Sequence, residues 1–531
     1  DCNNYARGVP RPGGLPDTLS STTRPFHVHY DANYSADQAA KAQAVLEAME
    51  LAWDVQVDQL GFRAPELPDL AGPDDDYDVY LIEYYQGTAF VAADDYNDAI
   101  VGDGYNSTSS YMVIDARLPM AWVDLYVAHE FNHICQWSTD FSEWTTTVWE
   151  ATATNAQVWT LGSVDGKWDL DVKDFQEASY FPALLSDSYY TYYGPGLGYL
   201  YEYGAAVWVR MLDEKLGAND GAKGVELWEE LANEGTGREP DVVDAFGVAA
   251  GTTVGDGLNE LAKVRFLTGD DWDDRGLIDA ELWGPDEAVP AAEYDASDLP
   301  LLGEDLTPQP HITGQVFVDI DVSAGLDVDP KKGLPWLRVS VDSSLAHDVG
   351  LVVMWWDDAG QVGDSATWGQ APEIEVPAEG LTRVALGITN LGPIGWDGDS
   401  NSYVQGGLSF DVEAFARPEP VDTADTGTTD TGTTDTGTTD TGTPDTATDT
   451  GSTNGGTNGT TNGTNGTTNG STNGSTNGST NGGTTDTADP SGSSPTTTDD
   501  TKEAGCGCQS SPTGSSLGLL GLVALGWRRR R

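Results

Sequence analysis

Ala128-His129-Glu130-Phe131-Asn132-His133-Ile134 sits in a helix-patterned segment at residues 120–137, after a strand-like apolar run, Tyr111-Met-Val-Ile-Asp-Ala116. Two histidines four positions apart project from one face of a helix, so both imidazoles can reach a single cation. Glu130 follows the first histidine. Its carboxylate can then face a water at that cation rather than the cation itself, which is the position of a general base. With only six histidines in 531 residues, the spacing carries weight.

A third protein ligand completes such a set. Gln136 and Thr139 occupy the positions where one arrangement needs a glycine and a third histidine, which excludes that arrangement. The next candidate is Glu150, seventeen positions after His133, in Val148-Trp-Glu-Ala-Thr-Ala-Thr-Asn-Ala-Gln157. This run predicts a second helix rich in small residues, which let two helices approach closely enough to share one metal. His129, His133, Glu150 and one water make a tetrahedral zinc site. Glu143 is the alternative, but it precedes the helix and leaves a short loop.

Over residues 110–217 this arrangement resembles the gluzincin metallopeptidases, the class that includes thermolysin, aminopeptidase N and the bacterial collagenases. The resemblance implies an α+β zincin catalytic domain holding one Zn2+ and cleaving a protein or peptide substrate, with Glu130 as general base. Tyr201-Glu-Tyr-Gly-Ala205 is similar to the Tyr-Glu-Lys-Gly-Ala helix of the aminopeptidase N family. That similarity implies that Tyr201 donates a hydrogen bond to the developing oxyanion. Tyr203 stands where that family has lysine, and Ala151 where glycine usually follows the ligand glutamate. The Gly-x-Met-Glu-Asn signature of the exopeptidases does not occur in the strand before the helix, which leaves an endopeptidase as the expectation. The strand at residues 111–115 is expected to accept an extended peptide along its edge. The alternative from a different class is a non-catalytic envelope adhesion or scaffold protein, with a degenerate zincin domain as a binding module.

Further strands are predicted at Phe26-His-Val-His-Tyr30 and Asp78-Val-Tyr-Leu-Ile-Glu83, and a long amphipathic helix at residues 36–60. Strands followed by helices up to about residue 266 give an α+β domain over residues 1–300. Residues 301–417 change character. Runs such as Gly314-Gln-Val-Phe-Val-Asp-Ile-Asp-Val322, Trp336-Leu-Arg-Val-Ser-Val341, Gly350-Leu-Val-Val-Met-Trp-Trp356 and Arg383-Val-Ala-Leu-Gly-Ile-Thr389, separated by Gly and Pro, predict an antiparallel β-sandwich. That domain shows no catalytic set, and His311 and His347 are expected to be bystanders. His27 and His29 share one strand face, with a surface strand expected rather than a second metal site. Asp397-Gly-Asp-Ser-Asn401 has the ligand types for Ca2+, although a polar turn is the commoner use.

Residues 418–504 form a low-complexity Thr/Asp/Gly/Asn linker with almost no apolar side chains to offset the entropy of ordering it. The last segment, residues 505–531, carries Cys506-Gly-Cys508, eleven largely apolar residues at 517–527 and four arginines at 528–531. Eleven residues fall short of the roughly 20 that cross a bilayer. This order resembles the C-terminal sorting tags of myxobacterial surface proteins. The resemblance implies processing and lipid attachment at Cys506 or Cys508 by envelope sorting machinery, leaving a secreted protein tethered at the outer-membrane surface; a permanent tail anchor is the alternative. With 25 basic against 86 acidic side chains the net charge is −61, which disfavours nucleic acid and anionic headgroups as partners. The chain opens at Asp1, as expected once a secretory leader is removed. In an oxidising compartment Cys2 and Cys135 can pair, with two free thiols the equal alternative.

Overall fold

The computed structural model describes residues 11–67, 76–84, 88–94, 105–141, 143, 145–162, 169–185, 201–232, 241–280, 289–393 and 404–418. Strands β1 (Asp17–Ser20), β2 (Phe26–Tyr30), β3 (Tyr77–Ile82), β4 (Ala89–Ala93) and β5 (Ser110–Asp115) form one sheet in the order β1-β2-β3-β5-β4. The three central strands are parallel, and β1 and β4 run antiparallel to their neighbours. Parallel neighbours need a crossover; α1 (Gln38–Ala52), followed by a π-helical stretch, Trp53–Leu60, provides it between β2 and β3. Gly61, at φ 93°, ends that stretch in the left-handed conformation that glycine tolerates best.

Alternate residues along the strands, Phe26, Val28, Val79, Leu81, Met112 and Ile114, share a buried core with Val45 and Met49 of α1. Val127, Phe131 and Ile134 of α2 (Val123–Trp137) complete it. Each such side chain contributes roughly 1.5–3 kcal/mol on burial, so this core fixes α2 on the sheet. β5 is hydrogen-bonded on both sides, to β3 and to β4. The peptide-accepting edge expected at residues 111–115 is therefore interior, and the terminal strand is β4. Its Ala-Phe-Val-Ala-Ala sequence carries little strand signal, because alanine is a poor strand former.

Helices α3 (Thr146–Leu161), α4 (Asp169–Glu177), α5 (Tyr201–Gly204), α6 (Ala206–Lys215), α7 (Ala222–Leu231), α8 (Val242–Ala250) and α9 (Val254–Phe266) follow, giving a mixed α+β arrangement. Cys135 is a free thiol in the core, and burial pushes its pKa up; its candidate partner Cys2 lies outside the described residues.

The remaining strands are β6 (Ala292–Asp295), β7 (Leu301–Asp305), β8 (Gln315–Asp321), β9 (Leu334–Ser343), β10 (His347–Asp357), β11 (Gly360–Gly369), β12 (Glu373–Pro377), β13 (Leu381–Pro393) and β14 (Leu408–Arg417). They make two sheets, β11-β10-β13-β8-β6 and β12-β9-β14-β7. β6, ahead of the boundary expected at 301, joins in parallel to β8; the other pairings are antiparallel. Val349, Leu351 and Val353 meet Leu337, Val339 and Phe410 between the sheets. The intervening residues, Val352, Met354 and Trp356, face the other way, onto Ala262, Phe266 and Leu267 at the end of α9. Helix and sandwich are also tied by polar groups: Gln315 Nε2 donates to Leu258 O at 2.7 Å, and Asn259 Nδ2 to Thr367 O at 3.0 Å.

Candidate metal centre

His129, Glu130 and His133 lie on α2 where it is sealed against the sheet and against α3; His129 is fully buried and Glu130 only 1% exposed. Buried small residues of α3, Thr147, Ala151 and Thr154, flank Glu150 and permit the close approach of the two helices. The three expected ligands converge. His129 Nε2 is 3.2 Å from Glu150 Oε2, His133 Nε2 is 3.5 Å from the same oxygen, and the two Nε2 atoms are 3.0 Å apart. Two ring nitrogens and a carboxylate aimed at one point are a donor set that can hold a metal ion, and all three are buried. Glu143, the alternative ligand, is spent elsewhere: its Oε1 accepts from Thr145 N at 2.6 Å, just before α3.

A chain of buried amides sets the orientation of His133. Gln56, on the π-helical stretch, donates from Nε2 to Ala128 O at 2.8 Å, so its Oε1 is left to accept from Asn132 Nδ2 at 3.1 Å. Asn132 Oδ1 then accepts from Gln136 Nε2 at 2.8 Å, and the same nitrogen donates to Trp149 O at 3.1 Å. Gln136 Oε1 is thereby fixed as an acceptor, 2.7 Å from His133 Nδ1. His133 must therefore carry a proton on Nδ1, which makes Nε2 the nitrogen that faces Glu150 and His129 and is available to a cation. Backbone carbonyls at both ends prevent the relay from reversing. His129 Nδ1 meets the Gln157 side-chain amide at 3.3 Å.

Burial lowers the pKa of His129 and pushes Glu130 up to about 8. For His133, burial pulls downward, but the Glu150 carboxylate outweighs it and raises the group to about 9. Burial alone would raise Glu150; His133 and His129 instead hold it well below the usual carboxylate range. The set thus favours one positive charge among three converging ligand atoms. A metal cation can take the place of that charge among the same three ligand atoms, so these residues form a set that could hold a metal ion.

Tyr201 stands apart from this cluster. It is fully buried, its hydroxyl donates to Phe181 O and Pro182 O at 3.3 Å each, and its ring packs on Phe175. Tyr203 is the tyrosine beside the ligands, stacked on His129 with ring centroids 5.7 Å apart and planes inclined by 25°. Positions i and i+2 of a helix face different sides, so only one of the two can occupy the site. Thr146 Oγ1 donates to Glu202 Oε1 at 2.8 Å, which ties α5 to α3 and seats Tyr203 there.

Residues that the motif did not indicate are thus Gln56, Asn132, Gln136, Gln157 and Tyr203. Asn132 and Gln136 carried a readable signal, since they repeat the i, i+4 spacing of the histidines inside an otherwise apolar helix. In the sandwich, His347 Nδ1 meets Asn390 Oδ1 at 2.9 Å and His311 packs on Phe181, both as parts of the packing. The candidate Ca2+ turn at residues 397–401, the linker, Cys506, Cys508 and the terminal arginines lie outside the described residues. Among the described residues no helix is long and apolar enough to cross a membrane. No protein-family model matches the chain, and neither does any curated protein.

Proposed function

We propose that the chain is a zinc-dependent metalloendopeptidase of zincin type. The observation that carries this reading is the buried convergence of His129, His133 and Glu150 with Glu130 on the same helix turn. Bound at these residues, zinc supplies Lewis acidity, polarising a carbonyl oxygen and making water easier to deprotonate. Glu130 takes the proton of the attacking water and delivers it to the leaving amine. The amide relay keeps the His133 Nε2 lone pair on the ligand point, and the Tyr203 ring closes the site over His129. β4, the terminal strand beside α2, offers the backbone edge on which an extended protein substrate pairs. The oxyanion role implied for Tyr201 is not part of the proposal, because its hydroxyl is committed to backbone carbonyls.

The test combines zinc analysis with casein digestion. Glu130→Gln is expected to keep its zinc and lose about 10²–10⁴-fold in rate, whereas His133→Ala loses the zinc. Casein cleavage by Glu130→Gln at the parent rate would sink the mechanism. A parent that binds zinc at this site and cleaves nothing would transfer the reading to the adhesion or scaffold alternative.

The proposal extends to a secreted protein tethered at the cell surface, with Cys506 or Cys508 as the attachment point. It rests on the order of cysteines, apolar run and arginines. The C-terminal peptide of the mature protein should end near Cys506; recovery of an intact Trp527-Arg528 junction by mass spectrometry would refute processing.

A further inference from the structure

The face of the first sheet turned away from α1 and α2 carries a second cluster of metal-ligand type. Phe26 and Val28 enter the helix-covered core, so the intervening His27 and His29 stand on the opposite face. Asp78 is the register partner of His27 on β3. One ligand atom from each of His27, His29 and Asp78 lies within 4.8 Å of the other two.

Each of these groups is oriented by its neighbours. Asp78 is fully buried and its oxygens are divided: Oδ1 meets His29 Nε2 at 2.6 Å, and Oδ2 is held by Arg11. Arg11 also grips Asp94, with Nε donating to Oδ1 at 2.7 Å, and lies over the Tyr111 ring. His29 is fixed from behind by Thr18 Oγ1, 3.1 Å from its Nδ1, and is stacked on Tyr80 at 5.0 Å. His27 Nε2 lies 3.1 Å from Asp76 Oδ2.

We propose that His27, His29 and Asp78 bind a second divalent transition-metal cation. Two imidazoles and a carboxylate suit a borderline cation such as Zn2+. Thr18 on one ring and Arg11 on the carboxylate are the outer partners that orient ligands in such sites. A plain His29–Asp78 hydrogen bond accounts for one ring, but not for a ligand atom of His27 lying within 4.8 Å of the ligand atoms of both. The bound cation joins β2 to β3, with β1 braced through Thr18, so its role is to clamp strands on the face remote from Glu130. This site does not depend on the peptidase reading.

The test is zinc stoichiometry on the full chain, stripped of metal and reloaded with Zn2+. The parent is expected to hold two zinc ions, the pair His27→Gln/His29→Gln one, His133→Ala one, and the three substitutions together none. A parent with a single zinc that His133→Ala loses, or one whose two zinc ions both survive His27→Gln/His29→Gln, overturns the proposal. A single zinc lost on changing His27 and His29 but kept in His133→Ala upholds it and removes the peptidase reading instead. His27→Gln alone, at a partly exposed ring, guards against misfolding: with the parent's circular dichroism it should still lose one zinc. Co2+ added to His133→Ala should give visible absorption bands that vanish when His27 and His29 are also replaced; bands that persist count against the site.

Discussion

Gln136 occupies a buried position in α2 where packing alone would favour leucine or methionine, and its value lies in having an acceptor whose direction cannot reverse. Gln136→Leu frees the His133 ring to take either tautomer and is expected to weaken zinc binding by about 10–100-fold, measured by competition with a chromogenic chelator. Gln136→Glu keeps the acceptor and should lose less; equal losses would show that the relay only fills space. Glu130 gives a pH signature in the metal-free protein. Its carboxyl titrates near 8 when folded against 4.5 as the ordinary value, so the folded state holds its proton more tightly. The resulting penalty is nil below about pH 4.5, grows as pH rises through this window, and is constant above about pH 8. Glu130→Gln removes the penalty, so the melting temperature of metal-free Glu130→Gln should exceed the parent's by more at pH 8 than at pH 5; a gap independent of pH would contradict this. At this scale the ligands were legible, because i, i+4 spacing dictates a shared helix face. The choice between Tyr201 and Tyr203 was not, because it depends on how α5 is rotated by the Thr146–Glu202 bond, a contact between residues 56 positions apart.

Helices α2 and α3 and strands β2, β3 and β5 follow from local patterning, while the position of β5 inside the sheet does not. Which strand ends a sheet is decided by pairing across distant segments, and β4, with three alanines among its five residues, has little to announce itself. The sandwich carried a subtler signal. Leu351-Val-Val-Met-Trp-Trp356 is continuously apolar instead of alternating, the mark of a strand covered on both faces. The structure supplies the second cover, the end of α9. Phe266, 2% exposed beneath Phe317 and Trp356, should therefore be costly to truncate. Phe266→Ala is expected to destabilise by about 3–5 kcal/mol in urea unfolding, and a loss below about 1 kcal/mol would mean that α9 is a removable lid.

The described residues between 11 and 418 belong to one compact unit, and Arg265 shows how completely its halves are merged. This buried guanidinium donates to Phe175 O at 2.5 Å, to Gln176 Oε1 at 2.9 Å and to Gln315 Oε1 at 3.3 Å. Burial lowers its pKa to about 10. The domain boundary near residue 300 was readable from composition, yet composition is blind to a seam in which one apolar layer is shared. Cutting there exposes Phe266 and Leu267 on one side and Phe317, Val352 and Met354 on the other. Residues 11–418 should accordingly melt in a single transition, and fragments ending or beginning near residue 288 should each aggregate; two independent, reversible transitions in the intact chain would disprove the merger. The described chain leaves this unit through β14, which lies between β9 and β7 and pairs with β9 along its whole length. Ladder bonds between antiparallel strands lie perpendicular to the strand axis, so a pull applied beyond Arg417 along that axis loads all of them at once in shear instead of unzipping them one by one. Mechanically, the exit strand is an anchor bolt: tension on the 418–504 segment must break a whole row of hydrogen bonds before it can disturb the helices that carry His129 and Glu150.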